Sequence, residues 1–335
     1  MNSAPFLCLH HSSASLGVLE LRLSILPQSP EMNSASFRIA AVVVTYRREL
    51  ELVRLLQSIE ASTVVPDLVL IIDHAAQTTT QAAVARIHLN TIYVASPENL
   101  GPGAGWKRGM ETALEQQPET THFLILDDDV VLPENAIAKL IAASVNAAIT
   151  CPILLDSNEQ IWGFPEPVDS VARRTIREVQ TSAECMQRLG HLPLPFCWCT
   201  GACVLVRRDA VDAVGFYRTD FWMLGEDLEY SMRVAAYGGG LFLPDVFVPH
   251  LPPAASDEKA ASAAHRRKFE SLLQNLAYLA FHHPNSRHLK FYLPGNARRY
   301  FGTFGWNLVR AGRLAQCLWK GAIRARPAGV GRKHP

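Results

Sequence analysis

One stretch restricts this chain more than any other. Phe123–Asp129 reads "FLILDDD", four apolar residues running directly into three carboxylates. The apolar part predicts a strand buried on both faces. The acidic part cannot follow it into a core, because adjacent buried carboxylates repel unless something positive sits among them. Such a strand is expected to end outside the core. Its predecessors share its character: "RIAAVVVTY" from Arg38, "PDLVLIIDH" with Asp73 near its end, and "NTIYVAS" predict three further strands. Helical stretches separate them, among them "ELELVRLLQSIEAS", with Leu50, Val53, Leu56 and Ile59 near helical spacing, and "GWKRGMETALEQ". This alternation predicts an α/β chain with a Rossmann-like, mostly parallel sheet flanked by helices. Ligands of such sheets bind beyond the carboxyl ends of the strands, where Asp73, Asn99 and Asp127–Asp129 all fall.

Pro133 is expected to open the next helix, "PENAIAKLIAASVNAA", as its first residue. From Cys151 to about Leu194 the periodicity weakens and a loop-rich region is expected. "FCWCTGACVLVRRDAVDAVG" predicts a strand, a turn and a helix start. "GEDLEYSMRVAAYGGG" predicts a helix with Gly225 before it and glycines closing it. "LFLPDVFVPHLPP" reads as a proline-broken strand ending at His250. In "HRRKFESLLQNLAYLAFHH", Phe269, Leu272, Leu276 and Leu279 share one helical face.

Alternation puts Asp127 and Asp129 on one side of an extended chain and Asp128 on the other. Two hard oxygen ligands on one side suit Mg²⁺ or Mn²⁺, with room left for water and phosphate oxygens. The plain alternative is a solvated acidic turn capping the following helix. An EF-hand is excluded, since the loop has no glycine at its sixth position and no glutamate at its twelfth. Glu226 and Asp227 open a helix, where the dipole favours an ionised carboxylate. Such a group can take a proton from an attacking hydroxyl, or it can simply cap the helix. His250, between prolines, is either a third metal ligand or an ordinary loop histidine. The four glycines of "ENLGPGAGWKRG" let a backbone approach phosphate or sugar closely, although the run is neither a Walker loop nor a dinucleotide fingerprint.

Taken in order, "VVVTYRR", "LIIDHA", "ENLGPGAGWKRGM", "FLILDDDVVLPENAI", "CTGACVLVRRDAVDAVGF" and "GEDLEYSMRV" resemble the family-2 glycosyltransferases of the GT-A fold, over about Ile39 to His250. Within that family the chain looks most like the bacterial rhamnosyltransferase and galactofuranosyltransferase branch. The resemblance implies an inverting transfer of a sugar, rhamnose or galactofuranose, from a nucleotide-diphosphate donor to a hydroxyl of a cell-surface glycan or lipid-linked acceptor. It implies Asp127, Asp129 and His250 as ligands of Mn²⁺ or Mg²⁺, with Asp128 beside the donor sugar. Asp227 matches the family's general base and Glu226 its acidic neighbour. Thr45, Tyr46, Arg47, Asp73, Asn99 and Gly101 match the donor-binding positions, and Trp198 falls where an aromatic lines the acceptor site. The chain departs from the family pattern at His74 and Arg47, where asparagine is usual, and at Gln274, where arginine is. Two other readings compete. A sugar-nucleotide nucleotidyltransferase would need a glycine-rich basic loop after the first strand, and "TYRRELE" has no glycine. A catalytically idle, membrane-associated assembly protein would have no need of Asp127, Asp129 and Asp227.

Charge divides the chain unevenly. Ser286 to Pro335 contains eleven Lys/Arg and no Asp or Glu, so with a net charge of +1 the remainder carries −10. Aromatic residues interleave with these charges, which suits an anionic membrane surface; no nucleic-acid motif accompanies them. "YFGTFGWNLVRAGRLAQCLWKGAIRAR" is expected as one amphipathic helix. No stretch reaches the roughly 20 apolar residues of a spanning helix, and the N-terminal residues do not have the pattern of a signal peptide. The seven cysteines, without paired spacing, are expected as reduced core or near-core thiols. The expected organisation is therefore a disordered extension over residues 1–36, a catalytic domain over 37–255, and a helical, basic, membrane-associating region over 256–335. The expected location is cytoplasmic, peripheral on the inner face of the cell membrane. "MNSAPF" at Met1 recurs as "MNSASF" at Met32, so either methionine fits as the start.

Overall fold

The computed structural model describes residues 37–252, 263–282, 290 and 292–324. The N-terminal extension expected over residues 1–36 lies outside them. Because β1 (Ile39–Thr45) and β2 (Leu68–Asp73) are β-branched and apolar throughout, they sit in the sheet interior, covered on both faces. They pair in parallel with each other, and β3 (Thr91–Ala95) and β4 (His122–Asp127) extend the parallel arrangement on either side. The register puts Thr45 opposite Asp73 and Val44 opposite Asp127, so three strand exits align along one edge.

The helices between these strands follow local chemistry. In α1 (Glu49–Glu60) the buried stripe is Leu52, Leu55, Leu56 and Ile59, while Leu50 is 81% exposed. The helix starts one residue after Arg48, and that phase turns Leu50 outward, against the expected stripe. After α2 (Thr78–Val84), α3 (Pro102–Gln116) carries proline in its first turn and lies on β1 and β2 through glycine. A Cβ at Gly105 would come within 2.6 Å of Val44 and 2.7 Å of the His74 ring. Two of the four glycines of the "GPGAGWKRG" run, Gly105 and Gly109, therefore serve close helix–sheet packing, while Gly101 and Gly103 lie against Trp222 and against Arg218 with Glu226. α4 begins only at Ala136 (Ala136–Ser144), with Asn135 at its cap; Pro133 lies three residues upstream and does not open it.

Beyond β4 the sheet becomes mixed. β5 (Ile149–Leu155) is followed by β6 (Ile161–Gly163), β7 (Glu166–Pro167), α5 (Ser170–Glu178) and α6 (Ser182–Leu189). This stretch, expected to be loop-rich, holds two capped helices. Asp169 accepts hydrogen bonds from the Val171 and Ala172 amides, and Thr181 with Glu184 closes a capping box. Caps of this kind hold short helices that apolar periodicity does not reveal. β8 (Leu194–Trp198) and β9 (Cys203–Arg207) come next, then α7 (Arg208–Val214), α8 (Glu226–Gly238) and β10 (Gly240–Pro249). Strand order is β3-β2-β1-β4-β9-β5-β10-β8-β7, with β9 inserted antiparallel between β4 and β5.

Three further helices follow: α9 (Ala263–His282), α10 (Tyr292–Phe304) and α11 (Leu308–Ile323). The single amphipathic helix expected over this basic stretch is thus two helices. The chain breaks at Gly305, which takes φ +77°, and restarts where the Asn307 side chain accepts from the Arg310 amide. α9 and α11 pack closely at Gly321, where any side chain would collide with the Gln274 carbonyl. Phe269, Leu273, Tyr300, Phe304 and Leu314 fill the space among the three helices. Cys151, Cys185, Cys197, Cys199, Cys203 and Cys317 are free thiols, all buried or half-buried.

Candidate active site

Five backbone segments meet beyond the aligned strand exits. β4 delivers Asp127 and runs on into Asp128 and Asp129, of which Asp128 is 4% exposed, Asp129 3%, and Asp127 more open to the pocket. The strand continues as a bridge between Val130 and His250, tightened by the Leu251 amide donating to the Asp129 carbonyl at 2.7 Å. That pairing carries the end of β10 to the acidic run. As a result Asp127, Asp129 and His250 each offer a ligand atom within 4.8 Å of the others, and His250 Nε2 lies 3.1 Å from Asp129 Oδ1. Asp128 turns the other way. Its Oδ2 accepts from Thr45 Oγ1 at 2.7 Å.

The cation that balances this cluster is Arg48, not Arg47. Arg48 Nη1 donates to Asp129 Oδ2 at 2.6 Å and to Asp128 Oδ1 at 3.0 Å. Arg47 takes a positive φ of 57° and its guanidinium lies over the ring of Tyr46, which is 41% exposed. Charge is therefore unevenly shared. Burial pushes the Asp127 carboxyl up to about 7, helped by repulsion from Asp129, with His250 opposing. Asp128 rises to about 6 because burial outweighs Arg48 and Thr45. For Asp129, burial is overcome by His250 and Arg48, and its pKa falls below the usual carboxylate range.

A divalent cation fits this donor set: two carboxylates and one imidazole converge, and the His250 Nδ1 atom is buried without a hydrogen-bond partner. The shifted carboxyls give a measurable consequence. Asp127 and Asp128 bind protons more tightly folded than at their ordinary value of 3.8, so their contribution to stability falls as pH rises from about 4 to about 7. A bound cation removes that loss and competes with the proton below pH 7. The melting midpoint of metal-free protein is expected to decline across this window. Mn²⁺ is expected to raise it on the order of 5 °C more at pH 8 than at pH 5.5. Thermal unfolding at fixed ionic strength measures both.

Across the pocket stands the second acidic pair, at the start of α8. Asp227 Oδ1 accepts from the Leu228 amide at 2.8 Å and Oδ2 from the Gly201 amide at 3.1 Å. Burial raises its pKa against those amides, and its charge in turn contributes to raising that of Asp127. Glu226 is 5% exposed, its Oε2 has no partner, and burial beside Asp227 drives its pKa far up. The turn joining β8 to β9 links the two acidic centres. Gly201 donates to Asp227, and the adjacent Ala202 carbonyl accepts from the Asp127 amide at 2.9 Å.

The remaining sequence-selected residues are placed as follows. Asp73 is fully buried, its oxygens accepting from the Ala75 and Gln77 amides and from the Tyr93 hydroxyl, so it shapes the turn after β2. Asn99 Oδ1 accepts from the Gly101 amide, and the Asn99 carbonyl accepts from Trp222 Nε1. Gly101 takes φ +85°, and a Cβ there would collide with the Trp222 carbonyl. Gly101→Ala is accordingly expected to cost about 2 kcal/mol or more, read by urea unfolding, and to weaken donor binding with it. Trp198 packs against the cluster around Phe221 and Met232, with its Nε1 buried and unpartnered. Two site residues escaped the sequence reading. Arg48 was the second basic residue of "TYRR". Trp162 lies in the stretch read as loop, yet its ring sits 4.2 Å from that of His250 and is 51% exposed.

A family model described as "Glycosyltransferase like family 2" matches residues 37–270. The chain is 26% identical over 247 residues to the N-acetylglucosaminyl-diphospho-decaprenol L-rhamnosyltransferase of Mycobacterium tuberculosis, covering 68% of this chain and 80% of that one. It is 28% identical over 223 residues to the galactofuranosyltransferase GlfT1 of the same organism, covering 65% and 71%. Among solved structures, the mannosyltransferase PcManGT from Pyrobaculum calidifontis, in complex with GDP-Man and Mn²⁺, superposes with a TM-score of 0.53 at 17% identity, covering 93% of this chain and 84% of that one. GalNAc-T7 with UDP, GalNAc and Mn²⁺ gives 0.55 at 12% identity over 85% of this chain, which spans only 55% of that protein. These structures establish the fold, the mixed but mostly parallel GT-A arrangement expected from the sequence.

Proposed function

The chain belongs to glycosyltransferase family 2, and from that premise we propose that it moves a sugar from a nucleotide-diphosphate donor to a hydroxyl of a lipid-linked or cell-surface glycan, with inversion at the anomeric carbon. The observation that carries this reading is the linkage of two acidic centres, Asp127–Asp129–His250 and Glu226–Asp227, through adjacent residues: Gly201 donates its amide to Asp227 and the Ala202 carbonyl accepts that of Asp127. Rhamnose and galactofuranose are the favoured sugars, because the relatives named above transfer those two.

Asp127, Asp129 and His250 would hold the cation, Mn²⁺ or Mg²⁺, which when bound neutralises charge on a departing diphosphate. Asp227 takes the proton of the acceptor hydroxyl. Its two backbone hydrogen bonds fix its orientation, and burial gives it a pKa above that of a free aspartate, which favours proton uptake. Burial and the neighbouring Asp227 charge both push the Glu226 carboxyl well above its ordinary value, which disfavours a second negative charge beside Asp227. Asp128, fixed by Thr45 and Arg48, sits where it can meet sugar hydroxyls. The nucleotide lies over Tyr46 and the turn after β2, and the acceptor enters past Trp198. Arg48 is free to trade its carboxylate partners for donor phosphate once a cation occupies the cluster.

Incubating the protein and Mn²⁺ with thymidine-diphosphate rhamnose, uridine-diphosphate galactofuranose and uridine-diphosphate N-acetylglucosamine in turn, with a polyprenyl-diphosphate sugar acceptor, tests the proposal. One of the first two is expected to give product of inverted configuration by NMR. Turnover of no donor, with Mn²⁺ bound and the protein folded, would remove the reading.

A further inference from the structure

α11 is amphipathic in the wrong sense for a helix that faces only water. Its inward side, Leu314 and Gly321, packs on α9. Its outward side should then be polar. Instead Leu308 is 79% exposed, Trp319 65% and Ile323 58%, and these three share one helical face with Gly312 between them. Arg313 and Lys320 flank that stripe along one edge. Both are exposed, and neither makes an ion pair among the described residues. No acidic residue occurs anywhere from Ser286 to Pro335, so the segment supplies no counter-charge of its own. Just before the helix Trp306, 68% exposed, adds a second indole to the same end of the molecule.

We propose that α11 is a docking element for an anionic lipid bilayer, lying parallel to the surface. The Leu308–Trp319–Ile323 stripe enters the boundary between headgroups and acyl chains, and Arg313 and Lys320 rest on lipid phosphates. Two observations select a bilayer. The exposed apolar residues are large and lie along one helical face, and a tryptophan among them suits headgroup depth. The flanking charges Arg313 and Lys320 are both positive, complementary to an anionic leaflet. No helix of the described residues is long and apolar enough to cross a membrane. This inference is independent of the donor and of the chemistry at Asp127.

Flotation of the full chain with vesicles tests it, using phosphatidylcholine alone and phosphatidylcholine with phosphatidylglycerol at about a third of the lipid. Wild type is expected to float with the anionic vesicles and to be released by high salt. The exposed-site variants Trp319→Ser with Ile323→Ser, and separately Arg313→Glu with Lys320→Glu, are expected to lose at least tenfold in partitioning. Their melting midpoints should stay unchanged, since none of these side chains is packed. A third variant, Leu314→Ala, weakens α11's hold on α9 without touching the outer face, and should partition like wild type wherever it folds. Equal flotation of wild type and both surface variants would overturn the proposal. So would a stripe occupied by something else: a Trp319-dependent dimer in light scattering, or tight binding of an RNA oligonucleotide with no flotation.

Discussion

Replacing Asp129 with alanine is expected to abolish metal-dependent donor binding and to lower transfer by 10²–10³-fold or more, the scale seen when a preorganised charge-stabilising group is removed. The fold itself is not expected to weaken in proportion. Asp129 is the only carboxylate of the three held below the usual range, so it is the group most fully charged when a cation arrives. It also joins His250 to the acidic run and takes the shorter of Arg48's two hydrogen bonds. Without it the donor set falls to Asp127 and His250, while Arg48 keeps Asp128 alone. Repulsion on Asp127 also falls, so its carboxyl should titrate nearer its ordinary value and the metal-free protein should lose little stability. Thermal unfolding with and without Mn²⁺, beside calorimetric titration of the nucleoside diphosphate, separates these effects. A variant that still gains as much stability from Mn²⁺ as wild type would show that the cation binds elsewhere.

Asp227→Asn should give the complementary result. The proposed function assigns cation and donor to other residues, so their binding is expected to persist within a few-fold. Transfer is expected to fall by 10²–10⁴, the usual yield of a positioned general base. Asparagine matches the shape of the carboxylate, and its oxygen can accept from either the Gly201 or the Leu228 amide, leaving the other without its acceptor. That mismatch costs about 1–3 kcal/mol, partly offset because a buried negative charge has gone. Single-turnover transfer with pre-bound donor reads the chemical step directly. Wild-type turnover in this variant would take Asp227 out of the mechanism.

How much of this could be read from sequence depends on whether the signal was periodic or tertiary. Strands β1, β2 and β4 were legible because they are apolar runs that end at Thr45, Asp73 and Asp127, and β3 from the β-branched and aromatic residues of "TIYV". The helix at Glu226 was legible from the glycines at its two ends. The antiparallel insertion of β9 was not, since local composition does not encode which neighbour a strand joins. The helices at Ser170 and Ser182 were missed because each is only 9 or 8 residues long and buries few apolar side chains, Ala172 and Ile176 in one and Cys185 in the other, although Thr181 and Glu184 do spell a capping box. The acidic groups were legible as residues. Their convergence was not, because it depends on the bridge between Val130 and His250, 120 positions apart. Arg48 and Arg47 are neighbours of the same type, and only the backbone's change of direction at φ 57° decides which one turns inward.

The dipeptide Gly201–Ala202 ties the two acidic centres together. Gly201 donates its amide to Asp227, and the Ala202 carbonyl receives the amide of Asp127, the first aspartate of the acidic run. It behaves as a spacer between those two carboxylates. A Cβ at Gly201 would press within 2.9 Å of Asp227 and 3.2 Å of Trp106, so the spacer has almost no tolerance for widening. On the proposed function, a change of donor or acceptor would fall on exposed side chains outside this spacer, such as Trp162 beside His250, while the link between Asp127 and Asp227 is kept.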